Sequence, residues 1–218
     1  MKYTHTGPRA QQQGFTLVEL GISMVLIASM VLAGFYVVKR IRTDAAINAA
    51  IASANVSMNK ANAAFSGSDS TAGANLTTLA AMNIWPKERL TISEVKSGTG
   101  ANAVVVSRAV TNIKGHFSGS EEMMWADGNN STPANSGFIY HLWRVPQEAC
   151  LPLIKNMALH PTTRSILAGA HSSTRPVAGY GVGKAAVKTG TGALNLAAAA
   201  QACMKDQRVD IAVQFDKS

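Results

Sequence analysis

Residues Phe15 to Val38, FTLVELGISMVLIASMVLAGFYVV, constrain this chain more than any other stretch. These twenty-four consecutive positions hold a single charge, Glu19. At ~1.5 Å per residue a helix of that length reaches about 36 Å, enough to cross a hydrocarbon core with some tilt. Lys39, Arg40 and Arg42 close the run. A lone carboxylate in lipid is costly unless it finds a partner, which marks Glu19 as a functional position. Residues 1–13, MKYTHTGPRAQQQ, are polar, with Lys2 and Arg9 and no apolar stretch. A secretory signal places its apolar core ahead of the cleavage site. Here a polar leader comes first, then Gly14, then the apolar core. Cleavage after Gly14 would discard the leader and keep the helix. It would leave a new α-amine on Phe15, about one helical turn from Glu19 in the same chain or in a neighbour.

Gly14-Phe15-Thr16-Leu17-Val18-Glu19-Leu20 resembles the prepilin signature of type IV pilins and their pseudopilin relatives. The resemblance implies a membrane-embedded prepilin peptidase that cuts after Gly14 and methylates the amine of Phe15. It also implies that Glu19 is the carboxylate needed for assembly. The signature covers about the first fifth of the chain, so the rest is read from its own residues. Charge does not orient the apolar run: two basic residues precede it and three follow it, whereas the bias should mark the cytoplasmic side. The resemblance implies a cytoplasmic leader and a periplasmic body.

The formal charge is +8 and the isoelectric point about 9.7. A basic chain suits nucleic acid, but the one basic cluster flanks the apolar run and the remaining cations are dispersed. Cys150 and Cys203 are the two cysteines. An even count in a body beyond a membrane favours a disulfide, which would close a loop of about 54 residues and contribute roughly 4 kcal/mol. Two buried thiols are the alternative reading of the same residues.

Helical character continues past the apolar run. Thr43 to Phe65, TDAAINAAIASANVSMNKANAAF, is Ala-rich, without Pro or Gly, and Ile47, Ile51, Val56 and Met58 mark an apolar stripe near helical spacing. One helix is expected from about Phe15 to about Ala64, apolar all round in its first half and amphipathic in its second. Gly21 and Gly34 suit close packing against neighbouring helices. Ser66 to Thr78 reads as a loop and Leu79 to Met82 as a short turn ended by Trp85-Pro86. Ala103 to Val110 reads as a strand and Gly115 to Gly137 as turn-rich, strongest at Asp127-Gly128-Asn129-Asn130. Glu121-Glu122 reads as a solvated turn. Gly137 to Val145 alternates as a strand, with Phe138, Tyr140, Leu142 and Arg144 on one face and Ile139, His141 and Trp143 on the other. A helix from Pro146 to about Leu159 follows. Then comes a Gly/Ser/Thr-rich stretch with short strands near Val177 and Val187, a helix over Leu194 to Met204, and a closing strand, Asp210 to Phe215. The expected class is α+β: a long N-terminal helix on an antiparallel-sheet domain with short helices.

This C-terminal order is similar to the second subclass of type IV pilins, which includes the toxin-coregulated and bundle-forming pilins. The similarity implies a Cys150–Cys203 bridge bounding a variable, fibre-exposed region. The large body and long leader agree with it, whereas Phe15 is usual in the first subclass.

Nothing in the sequence calls for enzymatic chemistry or a cofactor. Gly179-x-Gly181-x-Gly183-Lys184 fails the phosphate-loop spacing, since Ala185 stands where Ser or Thr is needed. His5, His116, His141, His160 and His171 show no metal-ligand spacing. His141 and Trp143 read as sheet packing.

The expected organisation is a leader (1–14), a long helix (15–65, with 15–38 in membrane or filament core) and a head domain (66–218). The resemblance implies a structural subunit, made as an inner-membrane prepilin and polymerised into an extracellular pilus for adhesion, cell contact or conjugation. Its implied partners are copies of itself, the prepilin peptidase, an assembly ATPase and an inner-membrane platform protein. A minor pilin, a type II secretion pseudopilin, or an adhesive or DNA-binding tip subunit would use the same parts. Pairing Glu19 with a neighbour's Phe15 amine at about 4 Å would contribute about 4 kcal/mol at an effective dielectric near 20, enough to select register.

Overall fold

The computed structural model describes residues 16–97, 104–128, 134–173, 184–190 and 192–217. The chain divides into two compact units, Met1–Arg42 and Thr43–Ser218.

Helix α1, Leu17–Phe65, contributes to both units. It begins where Thr16 accepts twice: its hydroxyl from the Glu19 N–H at 3.2 Å and its carbonyl from the Leu20 N–H at 3.0 Å. That is an N-cap: the carbonyl takes the first helical bond, and the hydroxyl satisfies the Glu19 donor that the helix itself cannot. The large apolar side chains from Leu17 to Ile41 all stand exposed. The helix holds a window of mean hydropathy 2.2, long and apolar enough to cross a membrane.

In the second unit α1 changes character. Ile47, Ala50, Ala54, Met58, Ala61 and Phe65 are buried at steps of three and four, with Ser57 and Asn62 beside them. The expected stripe is therefore rotated: Ile47 and Met58 are buried, but Ile51 is half-buried and Val56 is 50 % exposed. Alanines hold the buried face because a small side chain lets the helix backbone come close to what it covers. Phe65 ends that face edge-on to Phe138, ring centroids 5.3 Å apart.

The rest of the unit is a seven-stranded antiparallel sheet in the order β1-β2-β3-β4-β7-β5-β6. The strands are β1 Leu90–Ser97, β2 Val104–Lys114, β3 Glu121–Ala126, β4 Gly137–Pro146, β5 Thr163–Ala170, β6 Ala185–Lys188 and β7 Arg208–Asp216. The last strand lies between β4 and β5, and both its faces are buried. Three short helices accompany the sheet: α2 Leu76–Ala81, α3 Gln147–Ala158 and α4 Leu196–Cys203. Asn75 caps α2 by accepting from the Thr78 N–H (3.0 Å), and Asn195 caps α4 through the Ala198 N–H (2.9 Å). The loop read over 66–78 thus ends at Asn75.

Three strands lie where the sequence was not read as strand. β1 forms a ribbon with β2, and β2 meets β3 only at Ile113 and Lys114. β3 replaces part of the turn-rich stretch, and β5 precedes the Gly-rich one. The strand expected near Val177 lies outside the described residues, as does the Asn129-Asn130 half of the expected turn. β6 holds Val187. In β4 the expected alternation fails at Arg144. Its φ is +61° and the register with β7 skips between Leu142 and Val145. This bulge turns Arg144 out to solvent and buries Val145 on the face that Arg144 was expected to share.

Candidate functional site

The start of α1 presents one acidic side chain. Glu19 is exposed, and its carboxylate meets no hydrogen-bond or ion-pair partner among the described residues. Its main chain is fully used: the N–H goes to Thr16, and the carbonyl accepts from the Ser23 hydroxyl at 2.8 Å. Thr16-x-x-Glu19 has the spacing of a capping box, a helix-start signal that the sequence carries in plain view. Gly14 and Phe15 lie outside the described residues.

Cys150 and Cys203 are joined by a disulfide, with Cα atoms 5.7 Å apart and a separation of 53 in sequence. It ties the first turn of α3 to the last residue of α4, and both cysteines are buried.

Two buried charge clusters brace the sheet, and neither was read from the sequence. Glu122 is fully buried in β3 rather than solvated in a turn. It accepts from Arg89 Nη2 at 2.5 Å, Tyr140 Oη at 2.6 Å and Ser53 Oγ at 3.3 Å. Arg89 also reaches the Ser53 hydroxyl (2.6 Å) and the Lys114 carbonyl (2.6 Å). Helix, sheet and the 3-10 turn Lys87–Arg89 are thereby joined through one carboxylate. Burial, then the Glu122 charge and hydrogen bond, push the Tyr140 hydroxyl well above its ordinary pKa. Burial holds the nearby His116 below its ordinary value, against the pull of Glu122.

On the other face of the sheet, Asp210 in β7 is fully buried. It accepts from the Arg144 and Ser172 N–H groups (3.0 Å each), His171 Nδ1 (3.1 Å) and Lys184 Nζ (3.2 Å). Burial alone would raise its pKa. The two amides, then His171 and Lys184, outweigh that and bring it below the usual value. Lys184, the end of the rejected phosphate-loop pattern, is therefore an ion-pair partner in the sheet, while residues 179–183 lie outside the described residues. His141 packs in the sheet as expected, stacked on Trp125 with centroids 6.1 Å apart. Both its ring nitrogens are buried without a hydrogen-bond partner. Desolvation, reinforced by the Lys184 charge, lowers its pKa to about 3. Each cluster ties neighbouring elements together around one buried carboxylate.

No family model matches the chain, and no curated protein matches its sequence significantly. Among solved structures, a crystal structure of a type IVb pilin from Salmonella typhi matches it with a TM-score of 0.50 and 16 % sequence identity. That match covers 78 % of this chain and 99 % of the other. The fold is a type IV pilin fold: a long N-terminal apolar helix, a C-terminal antiparallel sheet, short helices and the Cys150–Cys203 bridge.

Proposed function

We propose that this chain is a structural subunit of a type IV-like pilus, polymerising through its N-terminal helix after loss of residues 1–14. The observation that carries the reading is the first half of α1. Its large apolar side chains from Leu17 to Ile41 are all exposed, on a chain whose remainder has a pilin fold. Exposed apolar surface of that extent needs lipid or other helices. In this reading Gly14 is the cleavage site, Phe15 the methylated first residue and Glu19 the carboxylate that pairs with a neighbour's amine. The subunit waits in the inner membrane and leaves it as an extracellular filament. A prepilin peptidase, an assembly ATPase and a platform protein serve it, and residues 66–218 with the second half of α1 coat the fibre. Adhesion, cell contact or conjugation would be the fibre's use.

Mass spectrometry of the mature N-terminus and electron microscopy of a Glu19→Ala strain test this reading. A methylated Phe15 and loss of filaments are expected. An uncut chain, or filaments as abundant in the Glu19→Ala strain as in the parent, would overturn it. Cells lacking the chain separate a major subunit, whose loss removes all fibres, from an accessory one.

A further inference from the structure

The head carries one large open cleft among its described residues, of about 1340 Å³, between the end of α3, the start of β5, the turn after β6 and the start of α4. We infer that this cleft binds an acidic peptide segment of a partner protein, one that interleaves carboxylates with apolar side chains. Among the described residues that line it, four are cations, Lys155, Arg164, Lys188 and Lys217, and one is a carboxylate, Asp216. Asp216 Oδ1 lies 3.6 Å from Arg164 Nη1, an ion pair beyond hydrogen-bond distance, which leaves the three lysines in excess. Lys188 is held in place by the Thr163 and Gly190 carbonyls, at 2.9 and 3.1 Å, and its third N–H meets no acceptor among the described residues. The ammonium groups of Lys155 and Lys217 meet no acceptor among the described residues.

The apolar half of the cleft is as distinctive as its charge. Leu159, just past α3, is 81 % exposed, and Leu196, in the first turn of α4, is 51 % exposed. Among the described residues no Phe, Tyr or Trp lines the cleft and His160 is its one aromatic ring, a poor match to the run of stacking platforms that single-stranded nucleic acid uses. Lysines next to leucines instead match carboxylates next to apolar side chains. The volume exceeds that of most small-molecule pockets, as a chain-like ligand requires. The disulfide cross-links α3 to α4, the two helices that supply the leucine walls, so the cleft is preorganised and binding loses less freedom. This inference does not depend on polymerisation.

The test uses the full chain in phosphatidylcholine nanodiscs and a fluorescein-labelled peptide of alternating aspartate and leucine, read by anisotropy. Binding is expected, weakening as salt rises. An asparagine–leucine peptide and polyglutamate should each bind at least about tenfold more weakly, having lost one half of the match. Lys155→Glu with Lys217→Glu should lower affinity at least about tenfold while leaving the unfolding midpoint unchanged, both positions being on the surface. Leu159→Ser should weaken binding without changing its salt dependence. The inference is overturned if the peptide does not bind, or if the double variant binds as the parent does. It is also overturned if labelled DNA binds as tightly as the peptide, or if the cleft proves to seat a second copy, shown by self-association that the double variant abolishes.

Discussion

His141→Leu should remove a defined part of the protein's acid sensitivity. The ring is buried, stacked on Trp125, and feels the ion pair of Lys184 with Asp210, whose two charges act on it in opposite directions. Its pKa in the folded chain is about 3, against an ordinary 6.5. As pH falls below 6.5 the unfolded chain takes up a proton that the folded chain refuses until about pH 3. The unfolded state then binds more protons, so stability falls with acidification. The slope approaches about 1.4 kcal/mol per pH unit, and integrating the two titrations between pH 6 and pH 4 gives about 2.5 kcal/mol. Leucine at this position carries no proton and leaves no ring nitrogen unpartnered. At neutral pH the variant should match the parent within about 1 kcal/mol, the lost stacking offset by relief of two buried unpaired nitrogens. Asp210, whose pKa is also lowered, adds acid sensitivity in the same direction, but it is present in both proteins and largely cancels from the difference. Urea unfolding of the full chain in neutral detergent, followed by tryptophan fluorescence across a pH series, measures that difference. Equal pH slopes in the two proteins would refute the reasoning. So would a large loss at neutral pH, which would mean the imidazole has a partner.

Glu122→Ala should cost about 3–5 kcal/mol, because it leaves the Arg89 guanidinium without its counter-charge, with only the neutral Ser53 and Lys114 oxygens to accept from it, and strips the buried Tyr140 hydroxyl of its acceptor. Glu122→Gln, which keeps an acceptor oxygen, should cost clearly less; thermal unfolding of both distinguishes a needed acceptor from simple packing. Replacing Cys150 and Cys203 together by alanine should cost about 4 kcal/mol, as expected for a cross-link spanning 53 positions. Urea unfolding under non-reducing conditions measures it, and a cost below about 1 kcal/mol would show that α3 and α4 hold their places by packing alone.

What could be read from the sequence follows from how each element satisfies its own groups. α1 announces itself because a long apolar run followed by alanines has no breaker. β4 and α3 carry strong local patterns, and the bridge follows from an even cysteine count together with a resemblance. The strands that escaped notice lack a one-sided pattern. Most described side chains of β1 are exposed on both faces of the ribbon it forms with β2, so Thr91, Ser93 and Glu94 signal no core. β3 opens on two glutamates, and only the fold supplies Arg89 and Tyr140 to make Glu122 a tolerable interior residue. β5 mixes Arg164 with the small residues Ala168 and Gly169. The bulge at Arg144 is invisible locally because its cause sits 66 positions away, where the buried Asp210 carboxylate accepts the Arg144 N–H. The same holds for the cleft. Lys155, Arg164, Lys188 and Lys217 look like scattered solvating charges along the chain. They become one surface only when β7 is inserted beside β5 and the disulfide draws α3 to α4. A basic composition that looks uninformative residue by residue can therefore still encode recognition, provided a non-local strand order gathers it.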